Sequence, residues 1–152
     1  MTGVQTCALP IYQGACKLFL NEGGLHFKDV SVRAHIPDDG GWSTGVSVAD
    51  INQDGLLDIY VCRVGHYESL QSHNLLLICD SINAEGIPVY SERAAEWGLS
   101  FSGFSTQAAF FDYDLDGDLD CFLLNHSVHR NGSFAPRENF IGTYHQIGRA
   151  HV

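Results

Sequence analysis

Apolar residues along this chain fall in short runs with a period of two, broken by clusters of Gly, Asn and Asp. That pattern predicts strands over residues 17–20, 25–30, 42–49, 59–64, 74–78, 89–92, 103–111 and 121–124. Turns are predicted at 21–24, 38–41 and 83–86, a polar connection over 65–73, and a short helical turn at 93–97. No window carries an extended helical period. The expected class is therefore all-β.

The strands recur as well as alternate. Trp42-Ser43-Thr44 returns as Phe104-Ser105-Thr106, Asn21 as Asn83 and Gly24 as Gly86, each 62 residues later, while Phe27 returns as Tyr90 at 63. Self-similarity at such a spacing marks an array of supersecondary units. Four short strands per unit fit the blade of a β-propeller. Trp42 and Phe104 read as packing residues between blades rather than as a ligand box.

The most regular part of the repeat is acidic. Asp112, Asp114, Asp116, Asp118 and Asp120 alternate around Gly117, and Asp50, Asn52, Asp54 and Asp58 repeat the spacing around Gly55. Like charges a few ångströms apart cost about 1 kcal/mol each even in water. A hard divalent cation removes that cost. Calcium takes six to eight oxygens from alternating side chains, a glycine turn and a backbone carbonyl. On this pattern Asp50, Asn52, Asp54 and Asp58 give side-chain oxygens in one loop, and Asp112, Asp114, Asp116 and Asp120 in the other. Leu56 and Asp118 occupy the position that ligates through its carbonyl. An EF-hand would need Glu at the twelfth position, where this chain has Val61 and Leu123, and apolar β-type runs follow both loops. Each loop is expected at a hairpin tip, with the ion pinning the hairpin. A metal-free acidic turn is the alternative.

Charge and cysteine content narrow the function classes. With 18 acidic residues against 8 basic ones the net charge is −10, which argues against a nucleic-acid partner. No apolar run reaches membrane-spanning length. Cys16, Cys62, Cys79 and Cys121 lack metal-ligand spacing and read as buried free thiols on strands, with disulfides or soft-metal ligation as the alternative. His126 and His129, after a predicted strand, and His66 and His73, flanking a polar loop, read as edge or loop histidines. No phosphate-binding Gly-rich loop or nucleophile elbow is present, and the chain is not expected to be an enzyme by itself.

Gly-[Trp/Phe]-Ser-Thr followed by Asp-x-[Asn/Asp]-x-Asp-Gly-x-Leu-Asp, with Leu18-Phe19-Leu20-Asn21 and Phe27-x-Asp29-Val30 before it, resembles FG-GAP/VCBS-type repeats. It is similar to the bacterial proteins with a C-terminal ASPIC/UnbV domain that are related to cartilage acidic protein. The resemblance implies a partial β-propeller like the integrin α-subunit head, with Ca²⁺ held in blade hairpins. It also implies an extracellular, periplasmic or cell-surface setting, and adhesion to or binding of a protein or polysaccharide ligand. A fragment of a propeller enzyme, a polysaccharide lyase or hydrolase with catalytic residues elsewhere, is the alternative. Residues 1–11 and 146–152 resemble translated sequencing adaptor and are set aside. The expected organisation is the back half of a blade at 12–40, a complete repeat at 41–102 and the front half of the next at 103–145. The rest of the ring would come from the parent chain.

Overall fold

The structure, a computed structural model, describes residues 15–65 and 71–126, together with the backbone of two short outer strands. Among the described residues ten strands follow one another: β1 (Val4–Thr6), β2 (Leu18–Gly23), β3 (His26–Asp29), β4 (Trp42–Ala49), β5 (Asp58–Val64), β6 (Leu75–Ile82), β7 (Pro88–Glu92), β8 (Ser105–Phe111), β9 (Asp120–Asn125) and β10 (Thr143–His145). Among the described residues there is no helix. The strands form three antiparallel sheets in the orders β1-β2-β3, β4-β5-β6-β7 and β10-β9-β8. The fold is all-β, with a four-stranded blade-like sheet flanked by two smaller ones. The N-terminal segment set aside in the sequence reading thus contributes β1 to one outer sheet, while β10 ends just before the C-terminal segment.

The central sheet buries both faces, which is why β5 and β6 read as continuous apolar runs rather than half-polar ones. Ile59, Val61, Leu75, Leu77 and Cys79 face Leu18, Val30 and Ala34 of the preceding unit. Tyr60, Cys62, Leu76 and Ile78 face Ala108, Cys121 and Leu123 of the following one. All seven residues of β5 are buried. Cys16, Cys62, Cys79 and Cys121 are buried free thiols, as their lack of metal-ligand spacing suggested.

The Ser-Thr pair that repeats has a structural cause. β4 bulges between Ser43 and Gly45, and β8 bulges at the equivalent place between Ser105 and Gln107. A bulge leaves an unpaired residue in the ladder. Thr44 Oγ1 donates to the Cys62 carbonyl at 3.1 Å, and Thr106 Oγ1 to the Leu124 carbonyl at 3.0 Å, so the hydroxyl takes up the freed acceptor. Thr44 also reaches the Ser105 carbonyl at 2.6 Å, tying β4 to β8. The two strands lie so close that a Cβ on Gly45 would fall 2.1 Å from the Thr106 carbonyl oxygen.

Two expectations needed correction. Trp42 is 41% exposed at the start of β4 and not packed away between sheets. The short helical turn expected at 93–97 is present as a hydrogen-bonded turn at 94–98, and the sequence reading missed its twin at 31–35. Ala34 N donates to Val30 O and Ile36 N to Ser31 O, as Trp97 N donates to Arg93 O and Leu99 N to Ala94 O. The second concerns register. Leu18 O accepts from Val30 N as Leu76 O accepts from Arg93 N. Ten residues separate Leu76 from Gly86, but six separate Leu18 from Gly24. Turn tips therefore repeat at 62 while the strands leading to them do not, because the β6–β7 hairpin is the longer.

Two predictions follow from these environments. His35 sits at φ 59°, where its twin is Gly98 at φ 69°. A left-handed non-glycine residue costs roughly 1–2 kcal/mol, partly offset by the extra chain entropy of glycine. His35→Gly should stabilise the fold by about 0.5–1 kcal/mol in urea unfolding. Separately, burial pushes the Cys62 and Cys121 thiols from 9.0 up to about 12. Above pH 9 the unfolded chain releases those protons and the folded chain keeps them. Stability should be intact below that pH and fall steadily as pH rises toward 12, measured by thermal melting.

Candidate metal centre

Both acidic loops lie where a first strand turns into a second, β4 into β5 and β8 into β9. Their backbones repeat in detail. Gly55 and Gly117 have φ of 86° and 97°, the positive region expected of the turn glycine. Gln53 and Leu115 are also left-handed, at 59° and 62°, which sequence reading did not anticipate. Such residues persist only where the surroundings over-determine them.

Hydrogen bonds within the loops repeat too. Asp50 Oδ2 accepts from Gly55 N at 2.9 Å, and Asp112 Oδ2 from Gly117 N at 3.2 Å. Asp54 Oδ1 accepts from Leu56 N at 2.8 Å, and Asp116 Oδ1 from Asp118 N at 3.2 Å. Asp58 Oδ2 accepts from Ile51 N at 2.8 Å, and Asp120 Oδ2 from Tyr113 N at 2.9 Å. These six carboxylates each fold back on a backbone donor, which draws them toward the loop instead of splaying them apart.

Convergence is tightest in the second loop. One carboxylate oxygen from each of Asp112, Asp114 and Asp116 lies within 4.8 Å of the other two, a grouping that could hold a metal ion. Asp118 and Asp120 are outside that triplet. In the first loop the neutral Asn52 interrupts the acids, and its amide donates to Asp54 Oδ2 at 2.8 Å. The crowding shows in the protonation equilibria. Partial loss of water and the charge of Asp116 hold Asp114 above the ordinary carboxylate range, while hydrogen bonds from Asp118 hold Asp116 below it.

Asp58 and Asp120 are the most buried members, at 0% and 1% exposure. Desolvation raises the Asp58 pKa, against hydrogen bonds from Cys79 and Ile51 that lower it. Its Oδ1 accepts from Cys79 N of β6 at 2.8 Å, so this carboxylate ties the loop to the third strand. That bond was not legible in the sequence, since it depends on the register of β6. In the second unit Oδ1 of Asp120 has no hydrogen-bond partner, and the residue corresponding to Cys79, at 141, lies outside the described residues. Oδ1 of Asp112 is likewise buried without a partner. Buried carboxylate oxygens lacking donors, beside further carboxylates, suit a cation made for hard oxygen ligands.

Residues 7–61 match the family model described as an FG-GAP-like repeat. That match covers about a third of the chain. The matched stretch runs through β2, β3, β4 and the first acidic loop into β5, so it begins in one sheet and ends in the next. No curated protein matches the chain. Among the described residues no helix is long and apolar enough to cross a membrane.

Among the described residues the remaining candidates add no second centre. His73 is exposed, and His126 donates its backbone N–H to the Phe104 carbonyl at 2.7 Å. His66 and His129 lie outside the described residues. A polar network that sequence reading missed joins the sheets: Asn74, fully buried, donates to Tyr60 Oη and Ser105 Oγ, both at 2.9 Å. Only the sheet register brings these three together.

The two roles open to loop carboxylates can be separated by mutation in the presence of a chelator. Asp58→Ala leaves two buried N–H groups without acceptors and should cost about 2–4 kcal/mol in denaturant unfolding, at about 1–3 kcal/mol per orphaned group. Asp54→Ala, on the exposed rim of the same loop, should cost less than about 1 kcal/mol.

Proposed function

We propose that the chain is a segment of a calcium-binding β-propeller built from FG-GAP-like repeats, acting as a scaffold for adhesion or ligand binding. The observation that carries this reading is the convergence of Asp112, Asp114 and Asp116 on a glycine-turned loop whose twin recurs 62 residues earlier. Asp112, Asp114, Asp116 and Asp120 would hold Ca²⁺ through side chains and Asp118 through its carbonyl. Asp50, Asn52, Asp54 and Asp58, with the Leu56 carbonyl, would do so in the twin. Bound Ca²⁺ supplies positive charge that offsets the repulsion and fixes the hairpin tips; it does no chemistry on a substrate.

FG-GAP-like repeats and an acid-rich surface fit an extracellular, periplasmic or cell-surface setting, where calcium is millimolar. Affinity in the range of about 10⁻⁴–10⁻³ M matches such a setting. The second loop should bind more tightly than the first, because it carries a carboxylate where the first has Asn52. The partner of the scaffold would be a protein or polysaccharide ligand.

Tyr113 lies between Asp112 and Asp114 and is 66% exposed, so it can sensitise a lanthanide held in that loop. Titration with Tb³⁺ should give saturable Tyr-sensitised luminescence that excess Ca²⁺ displaces and that Asp112→Asn weakens. Absence of a saturable signal from the folded protein would remove the cation from the proposal.

A further inference from the structure

The loops are in contact. Gln53 Nε2 donates to the Gly117 carbonyl at 2.5 Å, across from the first acidic loop to the second. Leu115 holds the position of Gln53 in the second loop, also left-handed, but is 85% exposed and has no amide with which to make such a bond. The bond joins the loops in one direction only.

Its acceptor sits at a sensitive place. The peptide unit whose C=O receives Gln53 is the one whose N–H, that of Asp118, donates to Asp116 Oδ1 at 3.2 Å. The N–H of Gly117 itself donates to Asp112 Oδ2 at 3.2 Å. The hydrogen bond from Gln53 therefore fixes the orientation of a peptide that positions Asp116, and its polarisation strengthens the N–H donor on the far side. On its own loop Gln53 lies between Asn52 and Asp54, so anything that orders those two side chains also fixes the backbone that aims the Gln53 amide.

We infer that Gln53 is a positioning residue for the second acidic loop and couples the two loops, so that a cation in either one strengthens binding in the other. This rests on the cation reading above. The physical basis is shared ordering: once one loop is fixed, the Gln53 bond has already restricted the other, and the second ion meets a smaller entropic cost. By linkage the coupling is the same in both directions.

The test uses the full 152-residue chain and Tb³⁺ with Tyr113 as donor, which reports on the second loop. Gln53→Leu places at this position the side chain that its twin already tolerates in the same conformation. Tb³⁺ affinity at the second loop should fall about fivefold, at the low end of typical couplings, although the substitution lies in the other loop. Asp54→Asn, which weakens the first loop, should lower second-loop affinity in the parent chain and lower it less in the Gln53→Leu background. That difference separates coupling through Gln53 from a loss of negative charge alone. Unchanged second-loop affinity in Gln53→Leu, or equal effects of Asp54→Asn in both backgrounds, overturns the coupling while leaving cation binding intact. Should Gln53→Leu fail to fold, Gln53→Asn, which keeps the amide but shortens its reach, gives the same comparison. A parent chain without saturable Tb³⁺ emission defeats the cation reading instead.

Discussion

The constraint on which the rest depends is that a small β-sheet with two apolar faces must be covered twice. β5 and β6 place Ile59, Val61, Leu75 and Leu77 on one side, and Tyr60, Cys62, Leu76 and Ile78 on the other. Burying a Val, Leu or Ile side chain is worth roughly 1.5–3 kcal/mol, so leaving either face in water would forfeit several such contributions. The flanking sheets meet this need, and the chain is consequently a stack in which each sheet is core for its neighbours. The same logic explains Phe122 and Leu124, at 42% and 49% exposure. They stand where Tyr60 and Cys62 stand one repeat earlier, on a face that in the central sheet is covered by β8 and β9.

Apolar contacts are indifferent to register, so a stack built on them alone would slide. Polar bonds between adjacent sheets remove that freedom. Thr44 to the Ser105 carbonyl, Ser47 to the Ala108 carbonyl and Gln107 to the Val46 carbonyl tie β4 to β8 along their length. The Tyr60–Asn74–Ser105 network does the same deeper in the interior. On the other side of the central sheet, Arg63, 1% exposed, donates to Asp39 Oδ2 at 2.6 Å and lowers the Asp39 pKa. Asp39 precedes β4, so this charge pair anchors the connection from the preceding unit. An unpaired buried guanidinium would be costly, which makes the position of that connection specific.

Much of this was legible in the sequence, and the division follows a physical line. Strand positions, the turn glycines and the repeat could be read because each is encoded within a few residues: alternation for β4, a required positive φ at Gly55 and Gly117, and identical spacing in the twin loops. Long-range pairing was not encoded that way. The bond from Asp58 to Cys79, the Asn74 network and the Arg63–Asp39 pair join residues that only the three-dimensional register brings together. The turn at 31–35 was legible in principle, since it lies one repeat before residues 94–98. It was hidden because His35 does the work of a glycine.

The loops gather these themes at one place. Charge repulsion alone would open an acidic turn, yet each of these loops is closed by its own backbone donors: Gly55 and Gly117 N–H to the first aspartates, Ile51 and Tyr113 N–H to the last. The amides do part of what a cation would do, but a hydrogen bond carries only partial charge. They fix geometry without cancelling the repulsion, so the folded hairpin tip is a preorganised set of oxygens with charge left over. Preorganisation reduces the ordering cost of binding, and the residual charge provides the attraction. Asp58 shows how such a site is joined to the stack. Its carboxylate bonds to the loop through Ile51 and to β6 through Cys79, so whatever tightens the loop also tightens the sheet against the core it shares with Leu18 and Val30.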